Sequence, residues 1–238
     1  MNKFELKFKP YGDTAILIEW PSEISESILE DIRIFSQKIQ SSNVKGIIDV
    51  NFVYASLLVV YENLDCVALC DTLRRIYLDS SLHKLEKQNV WYIPVCYEYG
   101  LDLEEILANK KLNKKDFVSI HTAPFYTVYG VGFLPGFLYL GGLNEELFTP
   151  RKEVPRIEIE KGSVAIGGNQ TGIYPQNSPG GWHIIGKTPV PFFDSNKKDP
   201  TFVKPGDKIK FYSISKSRFK LLEIEVESEV YNLKKVAQ

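Results

Sequence analysis

The sequence predicts an α+β protein in two parts, an N-terminal α/β unit followed by a module of short strands. Three observations carry that prediction. After a first strand, the elements run strand, helix, two strands, helix, strand, the order of a split ferredoxin-like unit. Beyond Phe125 the pattern changes to short β segments separated by Gly and Pro, which suits a closed or folded-over β domain. With 238 residues, 44% of them hydrophobic and 13% aromatic, the chain is long enough to bury two modest cores. The boundaries follow as 1–96 for the α/β unit, 97–120 for a helical connector, 121–229 for the β module and 230–238 for a loosely held tail.

Phe4 to Phe8 and Ala15 to Trp20 read as strands, with Gly12-Asp13 turning between them. Ile24, Ile28, Ile32, Phe35 and Ile39 recur at spacings of three and four, which makes one apolar helix face after Pro21-Ser22. Val44 to Val50 and Ala55 to Tyr61 are the next strands. Asn63 then offers a cap for a helix with Cys66, Leu69, Cys70, Leu73, Ile76 and Tyr77 on one side. Val90 to Val95 completes the unit. Asp102 to Ala108 and Lys114 to Ser119, the latter after Asn113, suit short helices. In the β module, strands are expected at Tyr126–Val131, Ile157–Glu160, Ser163–Ile166, His183–Ile185, Lys208–Tyr212 and Phe219–Val226.

Composition narrows the function classes. The 29 basic and 30 acidic residues nearly cancel, which gives no support to a nucleic-acid or membrane-surface role. Three cysteines suit a reducing cytoplasm better than a disulfide scaffold. No apolar run approaches the ~18 residues of a membrane span. A cytoplasmic protein is expected. No metal centre is expected, because Cys66 and Cys70 share a helix face without further ligands to complete a tetrahedron.

Chemistry concentrates between His121 and Pro191, where twelve of the 16 glycines lie and, up to Pro150, only Glu145 and Glu146 are charged. Glycines at that density permit close backbone approach, and the aromatics beside them can wall a pocket. Corners of a tightly turned barrel would give the same composition. Arg151 and Arg156 each follow a proline, so both guanidinium groups leave from stiff backbone and suit carboxylate or phosphate recognition. Solvated surface arginines are the alternative. His121 could move protons or bind an anion, or be a buried structural imidazole. Gln170 and Tyr174 could supply an amide and a phenol to a small polar substrate. Gly181 to Thr188 satisfies the phosphate-loop formula G-x-x-x-x-G-K-[ST], but its interior of Trp, His and two Ile favours a strand, and Pro189 follows.

Several long motifs in a fixed order also carry a resemblance. They are Tyr11-Gly12-Asp13-Thr14-Ala15, Ile93-Pro94-Val95-Cys96-Tyr97, Gly132 to Leu140, the two Pro-Arg steps, Gly162 to Ile166, Gln170 to Pro175, and Ser178-Pro179-Gly180-Gly181-Trp182. Across nearly the whole chain they resemble the family of the 5-oxoprolinase B subunit, which includes the Kip-type histidine-kinase inhibitors and has been called allophanate hydrolase subunit 1. The resemblance implies an N-terminal α/β domain and a cyclophilin-like β-barrel at the C-terminus. It implies an ATP-dependent hydrolase that opens 5-oxo-L-proline to L-glutamate with subunits C and A, using ATP and Mg²⁺. Inhibition of a sensor histidine kinase is one alternative, and a carboxyltransferase or allophanate-related role is another. Within that frame His121, Arg151 and Arg156 are the expected catalytic residues, and Gln170, Tyr174, Trp182 and Lys187 the expected substrate contacts. Lys187 stands where the family pattern has Arg, which keeps the charge without the planar fork.

Overall fold

Ile28, Ile32, Phe35 and Ile39 are all buried on helix α1 (Glu26–Ser41), as their spacing requires, while Ile24 precedes the helix and is exposed. The computed structural model describes residues 4–79 and 87–237, and the chain divides into two units, Met1–Lys87 and Gln88–Gln238. In the first, β1 (Lys7–Pro10), β2 (Ala15–Glu19), β3 (Ile47–Val53) and β4 (Ser56–Tyr61) form one antiparallel sheet in the order β1-β2-β4-β3. Helix α2 (Cys66–Leu78) is capped by Asp65, which accepts from the Ala68 N–H, and not by Asn63. Its Leu69 and Leu73 join Ile16, Ile18, Leu57, Val59 and the α1 face in one core.

The strand expected to complete this sheet lies elsewhere. Strand β5 (Asn89–Val95) belongs to the second unit, and β1 takes the edge beside β2 instead. The residues explain the exchange. Val90, Trp91, Ile93 and Val95 are all buried, so β5 needs cover on both faces, whereas β1 carries Lys7 and Lys9 and tolerates an exposed edge.

The second unit is built on a sheet of eight strands. Besides β5 these are β6 (Tyr126–Val131), β7 (Leu138–Gly141), β9 (Ser163–Gly167), β10 (Gln170–Ile173), β12 (His183–Lys187), β13 (Lys208–Ser213) and β14 (Lys235–Ala237). Their order is β12-β9-β10-β7-β6-β13-β5-β14. Strands β8 (Arg156–Ile159) and β11 (Ser178–Gly180) form a separate pair. The expected closed barrel is not formed by the described residues. The free edge of β5 is shared: β14 pairs with its first residues, and only a two-bond bridge between Cys96 and Lys187 ties its end to β12. A single bridge is not a ladder, so the sheet curls without closing.

The connector is no spacer. Helices α3 (Leu103–Lys110) and α4 (Lys114–Thr122) bury Leu103, Ile106, Leu107 and Phe117 in the main core, against Ile93, Val95, Tyr126 and Phe211. Asn113 caps α4 as expected, accepting from the Asp116 N–H. Residues 219–226, expected as a strand, lie in helix α5 (Lys216–Glu227). There Ser215 caps the first turn, and Phe219 and Leu222 form a buried face one turn apart. The expected tail supplies β14 at the sheet edge, while Gln238 is outside the described residues. Among the described residues no helix is long and apolar enough to cross a membrane.

Candidate functional site

Glycine in the second unit makes room for two aromatic rings. A Cβ at Gly167 would lie 2.5 Å from the Trp182 indole, and one at Gly172 would lie 2.8 Å from it. A Cβ at Gly180 would collide with the Tyr174 hydroxyl. Trp182 thus lies flat against glycine backbone, with Phe137 edge-on at 5.6 Å between ring centres. Phe137 also meets Tyr174 at 5.1 Å and Tyr139 at 4.9 Å. The result is a cleft of about 330 Å³ walled by Phe133, Phe137, Tyr139, Tyr174, Trp182 and Pro155. Burial pushes the Tyr174 hydroxyl up to about 12, so it is a neutral donor at physiological pH.

Arg151 enters this cleft with its guanidinium 5.6 Å from the Trp182 ring centre. No carboxylate or other hydrogen-bond acceptor pairs with it among the described residues. Arg156 is used differently. Its two terminal nitrogens grip the Asp102 carboxylate as a fork, at 2.9 and 2.5 Å. Asp102 is buried and also accepts from the Ile184 backbone N–H at 2.7 Å and from Lys152 at 2.9 Å. Burial alone would raise its pKa; Arg156, the Ile184 N–H and Lys152 outweigh that and hold the carboxyl below its usual range. Asp102 and Lys152 escaped the sequence reading. Asp102 stands at a helix start and reads as a cap, yet its carboxylate makes no capping bond and is spent on distant cations.

His121, expected as a catalytic residue, lies in the interior of the second unit. It is fully buried, with Tyr97, Phe117, Tyr126 and Phe211 around its ring. The Thr171 hydroxyl donates to the Ala165 carbonyl, so it accepts from His121 Nε2–H at 3.2 Å, and Nδ1 accepts from the Tyr97 hydroxyl at 2.6 Å. Both ring nitrogens are hydrogen-bonded within the core. Burial pushes the imidazole down to about 3, so it stays neutral.

The other expected contacts scatter. Lys187 pairs with Glu160 at 2.6 Å beside a separate depression that also includes Arg156. Gln170 is buried on β10 with its Nε2 lacking a partner, and it does not line the aromatic cleft. The phosphate-loop formula fails as its composition foretold: His183–Lys187 is strand β12, whose backbone is committed to β9 and to Cys96. Asp102, Glu105 and His183 do bring three ligand-type atoms within 4.8 Å of one another, a grouping the sequence hid. Lys152 already fills it, with its ammonium 2.9 Å from Asp102 and 3.2 Å from Glu105.

The packing of Trp182 supports a first expected outcome. Gly167→Ala places a methyl where the indole lies, and Gly167 has no unusual backbone angle to confound the change. The indole must swing out, with an expected cost of ~1–3 kcal/mol in urea unfolding and a red-shifted Trp emission. Unchanged emission would mean that the ring does not rest on Gly167.

The match with known proteins covers most of the chain. The family model for the carboxyltransferase domain, subdomains C and D, matches residues 6–203. The 5-oxoprolinase B subunit of Bacillus subtilis (strain 168) is 34% identical over 222 residues, 87% of this chain and 92% of its own length. That of Haemophilus influenzae is 36% identical over 205 residues, 85% of this chain and 95% of its length. The chain belongs to the family of 5-oxoprolinase B subunits. Among solved structures, TTHA0988 is similar with a TM-score of 0.75 at 30% identity, over 84% of this chain and 40% of that longer one.

Proposed function

We propose that this chain is the subunit of an ATP-dependent 5-oxoprolinase that holds 5-oxo-L-proline, and that the Arg151–Trp182 cleft is where it does so. The observation that carries the reading is an unpaired guanidinium over an aromatic wall, in a cleft sized for a small ring. The substrate's carboxylate pairs with Arg151. Its apolar ring edge lies against Phe137 and Trp182, and the neutral Tyr174 hydroxyl is a candidate donor to the lactam oxygen. The two 5-oxoprolinase relatives support the reaction class.

The aromatic cleft does not suit the nucleotide. The cleft is lined by no carboxylate for Mg²⁺, the phosphate-loop match is a strand, and the Asp102–Glu105–His183 group is filled by Lys152. The reading therefore leaves ATP and Mg²⁺ to subunits C and A, and gives this chain the tasks of binding, orienting and shielding the lactam.

In the reconstituted three-subunit assembly, Arg151→Met is expected to raise KM for 5-oxo-L-proline about 10- to 100-fold, the worth of one charge-assisted hydrogen bond. An unchanged KM would remove the cleft from the proposal. The family's carboxyltransferase name favours a second reading, carboxyl transfer to an amide or urea nitrogen. Turnover of urea with carboxybiotin, and none of 5-oxo-L-proline, would select it.

A further inference from the structure

We infer that Asp102 is a positioning residue for the aromatic cleft, tying its two walls together from outside it. One wall is the segment carrying Arg151, Lys152 and Pro155; the other is Pro179, Gly181 and Trp182. Asp102 lines neither. Yet its carboxylate takes Lys152 and Arg156 from the two ends of the first segment, and the Ile184 N–H from the strand that continues the second. The main chain also joins the walls, by Lys152 N–H to the Gly181 carbonyl at 2.8 Å and by the β8–β11 pairing, which sets Arg156 opposite Gly180.

The electrostatics make this staple firm. Asp102 is 3% exposed, and four donors saturate its two oxygens, so releasing any one leaves a buried group short of a partner. Among the described residues Arg151 makes no hydrogen bond or ion pair and is held only by its contact with the Trp182 ring. Its place over Trp182 is inherited from its neighbour Lys152, held at both its backbone N–H and its ammonium. Asp102 therefore acts on a ligand through Arg151 without touching it. Glu105 shares only the Lys152 ammonium, and is exposed.

The ligand half of the test rests on the proposed substrate; the backbone half does not. Asp102→Asn keeps the side chain's shape and removes its charge. In the full chain it is expected to speed amide hydrogen exchange across residues 151–156 about tenfold, while β9 and β10 keep their protection. The Kd for 5-oxo-L-proline is expected to rise about tenfold. In an Arg151→Met background the same substitution should change that Kd less than about twofold, because the group it positions is gone. Should Asp102→Asn fail to fold cooperatively, Lys152→Met removes one leg of the staple and should loosen 151–153 alone. Wild-type exchange rates at 151–156 in a folded variant, or an undiminished Kd effect without Arg151, would overturn the inference. Failure of the wild-type chain to bind 5-oxo-L-proline would count against the substrate, and the exchange rates would still decide Asp102.

Discussion

His121→Ala is expected to cost the second unit ~4 kcal/mol in urea unfolding, the scale of a large core truncation with a buried group left unpaired. The ring sits among Phe211 at 5.0 Å, Tyr126 at 5.5 Å and Tyr97 at 5.7 Å, so its removal empties the centre of the core. The Tyr97 hydroxyl, wholly buried, loses its acceptor at the same time. The imidazole also ties stability to pH in a definite direction. Its folded pKa is pushed down to about 3, whereas the unfolded chain binds the proton near ~6.5. Protons therefore favour the unfolded state. Stability from this group falls by ~1.4 kcal/mol per pH unit below about 6.5 and levels off only near the folded value. Between pH 6.5 and pH 5 the wild-type chain should lose ~2 kcal/mol on this account, and His121→Gln should not. Equal losses in both would assign the slope to other groups.

How far the sequence could be read depended on the range of the interactions involved. The α1 face was legible because Ile28, Ile32, Phe35 and Ile39 are set by one local period. The Asn113 cap was legible for the same reason. The placement of β5 was not, since element order cannot tell which of two sheets a strand joins; only the burial of Val90, Trp91, Ile93 and Val95 on both faces does. Residues 219–226 alternate like a strand, yet Ser215 and good helix formers decided the local structure. In the candidate cleft, Arg151 of the first Pro-Arg step lines the wall with Tyr174, Gly180, Gly181 and Trp182, all within the glycine-rich stretch. What the Pro-Arg steps hid was which arginine is spent. Arg156 is consumed by Asp102, 54 residues away in sequence, and Arg151 is not. That division depends on a tertiary ion pair, which no local pattern encodes.

Asp102→Ala tests that ion pair in its own right. The substitution leaves Lys152 and Arg156 facing an emptied site with 19% and 30% of their side chains exposed, and it strands the Ile184 N–H. Breaking a buried pair by deleting one partner costs ~3–5 kcal/mol. Because both cations retain some water, the expected loss is at the lower end, ~3 kcal/mol at pH 7. The pH dependence has the same sign as that of His121 but sets in at lower pH. Asp102 has its pKa lowered in the fold, so its stabilisation is complete above the unfolded carboxylate value and is lost only as pH falls through the lower folded one. The gap between wild type and Asp102→Ala should therefore stay flat from pH 8 to pH 5 and close only below ~4. A gap under ~1 kcal/mol at pH 7 would give Asp102 the worth of a surface pair, and a gap that closed between pH 6.5 and 5 would tie its contribution to a histidine. Between pH 6.5 and 5 only the imidazole's contribution changes, so unfolding at pH 8, 6.5 and 5 separates the buried imidazole of the core from the carboxylate that holds the cleft.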